Sequence, residues 1–417
     1  MGDGERKGSR LDLLRNRNFR LLWIGQAISL IGDQFYLIAL PWLVLILTGD
    51  PLALGLVLAL AAIPRALFMM IGGALTDRFS PRTLMILSNT MRLVIVVLLT
   101  SLVLSAAIQI WMLYLFALSF GLADALFYPA QFSILPQMVE KWQLKAANSL
   151  VQAVTQVSLF VGPVVAGVVI AIFGGSSQDL SGIGIAFSVD AITFLASLAT
   201  LLLIRIEREG ERSEEDFLRS IKEGLSFIMR EPGLKIMFLV LASTNLLVAG
   251  PFDVGIPVLA ESRLPEGAAA FGMLMSAFGG GSLIGIGLAG LLPEPKKGRF
   301  GSILVLVIVL FGAGMVAFAF ADTTLVAGMI TFTMGVMIGY VDILIITWVQ
   351  HCTPMKMMGR MMGMMMFSSA GLLPVSLAIS GVALRWSLPG LFLIAGIAMG
   401  VLGVIMILLP SMRSIGW

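Results

Sequence analysis

The chain alternates long apolar runs with short polar breaks. Charged residues gather in the breaks and are almost absent from the runs. A run of about 20 residues or more is long enough to cross the hydrocarbon core of a bilayer as a helix rising ~1.5 Å per residue. Twelve such helices are predicted. In the first half they cover about 19–48, 52–76, 83–105, 109–137, 145–173 and 181–206. In the second half they cover about 235–261, 267–292, 301–320, 323–351, 358–384 and 387–410. Most are apolar all round, so periodicity does not separate a lipid-facing side from a buried one.

The breaks carry two further signals. The first is orientation. All but four of the 27 lysines and arginines fall on one side of the predicted membrane. Arg263 and Arg385 fall on the other, and Arg65 and Arg92 lie inside helices. Positive residues favour the cytoplasmic side, so both termini are expected there, in a cell (inner) membrane protein of multi-pass type. The second is domain organisation. Residues 207–234 form a charged segment, beginning Glu207-Arg208-Glu209-Gly210-Glu211. Within it Leu218, Ile221, Leu225 and Ile228 recur at helical spacing, which predicts a short amphipathic helix on the membrane surface. The expected units are therefore 1–206, 207–234 and 235–417, the first and last being six-helix bundles.

Composition agrees and narrows the function. The chain has 417 residues, 58% hydrophobic and 12% charged. A soluble domain carries about twice that charge. One cysteine, Cys352, excludes an internal disulfide framework. One histidine, His351, argues against a multi-histidine metal site or a histidine triad. No phosphate-binding loop of the G-x-x-x-x-G-K-[ST] type occurs, which disfavours a nucleotide-driven pump. A membrane-embedded enzyme would need a nucleophile–base set that these residues do not supply. No enzyme activity, cofactor, metal or nucleic acid is expected, and no cleavable signal is apparent. Met355 to Met366 is rich in methionine; thioethers can hold copper(I), but a deformable gate at the start of a helix is the better expectation.

The two halves look related. Gly121, Asp124, Leu126 and Pro136 recur as Gly339, Asp342, Leu344 and Pro354 with identical spacing. These lie in the fourth and tenth predicted helices, which are counterparts if the chain is a tandem of six-helix units.

Charge inside a membrane is costly and marks function by default. Asp33, Arg65 and Asp124 each lie ~20 Å from a helix start, near the bilayer midplane. Asp190, Asp253 and Asp342 lie in other helices, as does Arg92, which is expected to brace the loop containing Asp77. Asp253, Asp342 and Asp190 are expected to be structural or to form gates. Phe35, Tyr36, Phe127 and Tyr128 lie close to the two central acids in sequence and could stack on a hydrophobic or cationic substrate, or equally face lipid.

Several stretches carry a family resemblance. Gly73, Asp77, Arg78 and Arg82 match the loop between helices 2 and 3 of the major facilitator superfamily. The loop's usual second glycine is absent, with Ser80-Pro81 in its place. Gly162-Pro163 with Gly167 resembles the helix-5 motif of drug:proton antiporters, although packing alone would also suit these residues. Arg17-Asn18-Phe19-Arg20, Gly32-Asp33-Gln34, Ala39-Leu40-Pro41-Trp42, Asp124 to Ala130 and Ala147-Asn148-Ser149-Leu150 resemble the macrolide-efflux branch of that family.

The resemblance implies an all-α integral membrane protein of two pseudo-symmetric six-helix bundles, the major facilitator fold. It implies a monomer in the lipid bilayer that exports small amphiphilic compounds by alternating access, in exchange for protons. Siderophore or lysophospholipid transport on the same fold is the alternative. In that fold helices 1 and 4 line a central cavity. Asp33 and Asp124 would then face it, with Arg65 near enough to pair with one of them. An Arg65–Asp33 pair made in one conformation only would load and release a proton. A permanent pair would merely hold the bundle together, and direct substrate contact is a third role.

Overall fold

The computed structural model describes residues 10–205, 226–293, 295, 299–354 and 358–408, with side chains except at 10–12, 68–78, 141, 232, 359–360, 362–363 and 366. Most of the amphipathic stretch, including Leu218, Ile221 and Leu225, lies outside these residues; 226–230 is helical.

Twelve spans follow a short helix, Arg10–Arg15. They are α1 (Arg17–Thr48), α2 (Pro51–Arg78), α3 (Pro81–Leu104), α4 (Ile110–Met138), α5 (Leu144–Phe173) and α6 (Ser181–Leu203). Then come α7 (Pro232–Asp253 and Gly255–Arg263), α8 (Ala268–Leu291), α9 (Arg299–Phe318) and α10 (Thr324–Cys352). The last are α11 (Met358–Ala370 and Leu373–Leu384) and α12 (Leu388–Leu408). Among the described residues eleven helices are long and apolar enough to cross a membrane, and Pro51–Leu67 is a shorter apolar stretch of α2.

Two spans expected to be continuous are broken. α7 breaks after Asp253 and α11 after Ala370. In each case a proline four residues on, Pro257 or Pro374, is the cause. Its ring collides with the carbonyl at the break and it has no N–H to bond there.

Glycines set the packing. A Cβ on Gly121 of α4 would stand 2.1 Å from the Ala61 carbonyl oxygen of α2. A Cβ on Gly339 of α10 would stand 2.2 Å from the Ser282 carbonyl oxygen of α8. The repeated glycine therefore makes the same backbone-to-backbone approach in both halves. This is the pseudo-symmetry expected of tandem repeats about an axis along the membrane normal.

The halves meet through another matched pair of crossings. Gly167 of α5 lies on Gly272 of α8, and Gly55 of α2 lies on Gly381 of α11, with 3.0 and 2.9 Å from the built Cβ to the facing Cα. Both lie toward the far side, on which α1 ends and α2 begins. The α5–α8 contact continues to Gly279, whose Cβ would stand 2.4 Å from the Leu159 carbonyl oxygen. Further along α8, Gly287 and Gly290 have nothing within 4 Å of a built Cβ. The α5–α8 contact thus closes the far side and does not extend to Gly287 and Gly290 at the other end of α8.

Candidate functional site

The site is built midway along α1 to α4. Its centre is Asp124, buried with 6% of its side chain exposed. Arg65 of α2 donates through Nη2 to one carboxylate oxygen, and Arg92 of α3 forms an ion pair through Nη2 with the other. The Arg92 guanidinium lies 4.3 Å over the Phe127 ring, with Phe120 and Phe194 at 5.6 and 5.7 Å. Arg65 lies 5.8 Å over Tyr128 and has 30% of its side chain exposed. Aromatic faces offset part of the cost of taking a guanidinium out of water.

Arg65, expected near enough to pair with Asp33 or Asp124, pairs with Asp124, so the Arg65–Asp33 pair of the proton scheme is not made in this state. One expectation fails. Arg92 lies midway along α3 and turns to Asp124 instead of bracing the loop that contains Asp77. The reason is geometric: α4 packs against both α2 and α3, so one carboxylate on α4 meets a cation from each. Asp33 is half-buried, and its Oδ1 is buried without a hydrogen-bond partner.

The aromatics sort differently from the expectation. Phe35, Tyr36 and Phe127 are buried in the first bundle and offer no face to a substrate in this state. Tyr36 stacks on Phe120, with ring centroids 4.1 Å apart and planes 9° apart. Tyr128 is half-buried beside Arg65.

In the second half Asp253 and Asp342 are exposed. Asp253 ends the first piece of α7 and lies within electrostatic reach of Arg65, so it faces the first half. An exposed carboxylate midway along a membrane helix belongs at a water-filled space rather than against lipid, which places Asp342 there too. Asp190, by contrast, is fully buried between α1, α3 and α6.

The loop motif is described only in part. α2 runs to Arg78, so Asp77 and Arg78 are its last helical residues, and the side chains of Gly73, Asp77 and Arg78 lie outside the description. Arg82 donates through Nε to the Leu201 carbonyl (3.0 Å) and through Nη2 to that of Leu202 (2.9 Å). It ties the start of α3 to the last turn of α6, where carbonyls lack helical partners. Gly162 gives way to the Gln34 side chain of α1. Pro163 lies inside α5, and the Val164 N–H donates to Ser276 Oγ of α8 at 2.8 Å. Pro163 and Gly167 are therefore a contact between halves, while Gly162 packs on α1 within the first half. Of the methionine run, Met361 is buried, and Met355 and Met357 lie outside the described residues.

Sequence reasoning missed several polar residues. Asn89 donates to Ser197 Oγ (3.0 Å) and Ser88 to the Ala123 carbonyl (2.7 Å), both inside the first bundle. Arg385 reaches Asp50 between the halves. Small polar residues in apolar runs carry no pattern that marks them.

A polytopic helical protein with buried ion pairs and charged walls between two matched halves has the architecture of a membrane transporter. The Major Facilitator Superfamily model matches residues 22–375, and the chain belongs to that family. It is 26% identical over 397 residues to the multidrug efflux pump Tap of Mycolicibacterium fortuitum, covering 92% of this chain and 93% of that one. It is 24% identical over 282 residues to macrolide efflux protein A of Streptococcus pyogenes, covering 67% of each. A crystal structure of a POT family transporter in complex with 5-aminolevulinic acid shares the fold. Its TM-score is 0.75 at 10% identity, over 96% of this chain and 97% of that one.

Proposed function

We propose that the chain is a secondary active exporter. It moves a small amphiphilic cation out of the cell by alternating access and takes protons in. The observation that carries this is the charge of the walls. Asp253 and Asp342 are exposed, whereas the two cations of the first bundle, Arg65 and Arg92, are matched by that bundle's own acids. The space between the halves is therefore net negative, which suits a cation and repels an anion. Efflux is also the direction in the names of its relatives. The units are 1–206, a tether at 207–234, and 235–417, in a monomer of the inner membrane with both termini cytoplasmic. The side closed by the glycine crossings then faces away from the cytoplasm.

The test uses liposomes holding an internal pH dye. An inward proton gradient is imposed and amphiphilic cations are added. Substrate-dependent proton flux in wild type, lost in Asp33→Asn or Asp124→Asn, is the expected result. Cation movement with no proton flux, alike in wild type and variants, would overturn the coupling.

A further inference from the structure

Asp190 has no part in the scheme above, yet it is the most enclosed acid of the first bundle. α6 crosses α1 in matched steps of seven. A Cβ on Gly25 would strike Thr200, and one on Gly32 would strike Thr193 and stand 2.9 Å from Asp190 Oδ1. Gly32 thus lets the Asp190 carboxylate lie against the backbone beside Asp33. Asp190 is fully buried, and neither of its carboxylate oxygens has a hydrogen-bond partner. The neighbouring Thr193 hydroxyl is spent on the Asp190 backbone carbonyl at 2.8 Å.

The ionisable groups around it come from three helices. They are Asp33 and Tyr36 of α1, Arg92 of α3 and Asp124 of α4. α5 also packs on α6 but brings no charged residue except Lys145 at its exposed start. With Arg65, the cluster holds two cations and three acids. Both cations are committed to Asp124. Two neighbouring carboxylates out of water do not both ionise. One proton shared by Asp33 and Asp190 makes the cluster neutral.

We propose that Asp33 and Asp190 form a site for one proton, with Asp190 as its enclosed end. Asp33, half-exposed, is the end that exchanges the proton with water between the halves. The use made of that proton rests on the proton-coupled reading; the site itself does not.

The experiment is infrared spectroscopy of the purified full chain in lipid nanodiscs at pH 7. An Asp253→Asn/Asp342→Asn background removes the two exposed acids. The expected result is the absorption of one protonated carboxyl group, lost entirely when either Asp33→Asn or Asp190→Asn is added. Absence of the band before these changes would overturn the proposal, and that measurement needs neither variant to fold. A band that survives either substitution would overturn it too. So would a band displaced by added sodium or a divalent cation at constant pH, which would make the pair a metal-ion site. A band that behaves as expected, in a protein without substrate-driven proton flux, would leave the site standing and remove the coupled-export reading.

Discussion

Arg385, at the end of α11, grips Asp50, between α1 and α2, with two hydrogen bonds: Nε to Oδ1 at 3.0 Å and Nη2 to Oδ2 at 2.5 Å. The pair joins the two halves on the side where they are closed. Opening that side must break it, so it acts as a latch on one state. The Arg385 guanidinium, helped by the Leu52 N–H, holds the Asp50 carboxyl below its usual range.

Asp50→Asn is expected to raise the fraction of molecules open on the far side by a few-fold at most, since exposed ion pairs are weak. Spin-label distances between the halves would read the change. Because the Asp50 pKa is lowered in the paired state, the latch contribution is complete above about pH 4, the ordinary aspartate value. It is lost only as pH falls through the lowered value. Between pH 5 and 8 the closed fraction should therefore not respond through this pair, whereas molar salt should reduce it. A closed fraction unchanged by both substitution and salt would rule the latch out.

The glycine crossings hold the same closed side. A Cβ on Gly272 would stand 2.3 Å from the Pro163 carbonyl oxygen. Gly272→Ala is expected to cost this state about 1–3 kcal/mol, the usual range for overpacking. Gly287→Ala, which meets nothing within 4 Å, is the control and should cost nothing. Thermal unfolding in detergent and cross-linking between α5 and α8 would check both. Equal behaviour of the two variants would mean that the crossing does not hold the halves together.

Much of the fold was legible because membrane helices must be long and apolar, and each span lies within a few residues of its expected place. The repeated Gly121 and Gly339 also announced the pseudo-symmetry, since only close backbone approach demands a glycine at the same point of two helices. The site was legible in composition but not in pairing. Asp33, Arg65, Arg92 and Asp124 stood out as costly charges. Which of them pair depends on the rotation of α2, α3 and α4 about their axes, and helices apolar all round give no sign of that. The breaks in α7 and α11 were readable from Pro257 and Pro374, four residues beyond each, but long apolar runs outweighed them.

Asp124 makes a prediction about stability. It is the only ion-pair partner found, among the described residues, for two buried or half-buried guanidinium groups. Asp124→Asn should destabilise the protein by about 3–5 kcal/mol, because breaking a buried pair leaves uncompensated charge. Adding Arg92→Met should recover part of the loss, since one stranded cation is then removed. A double variant less stable than Asp124→Asn by the full cost of Arg92→Met alone would show that the two residues are not coupled.

Asp253 tests the charge of the cavity wall from the second half. It is exposed and within electrostatic reach of Arg65, but outside the ion pairs of the first bundle. Asp253→Asn removes one negative charge from a space where water screens only partly. Binding of an amphiphilic cation should weaken by roughly tenfold, while a neutral analogue of the same size should bind as before. Lowered salt should widen the gap between the two ligands in wild type and not in the variant. Fluorescence titration of both ligands, in detergent, separates the outcomes. Equal weakening of both would mean that Asp253 shapes the cavity instead of charging it. No effect on either would move the cation site away from α7, with Asp342 of α10 the next residue to change.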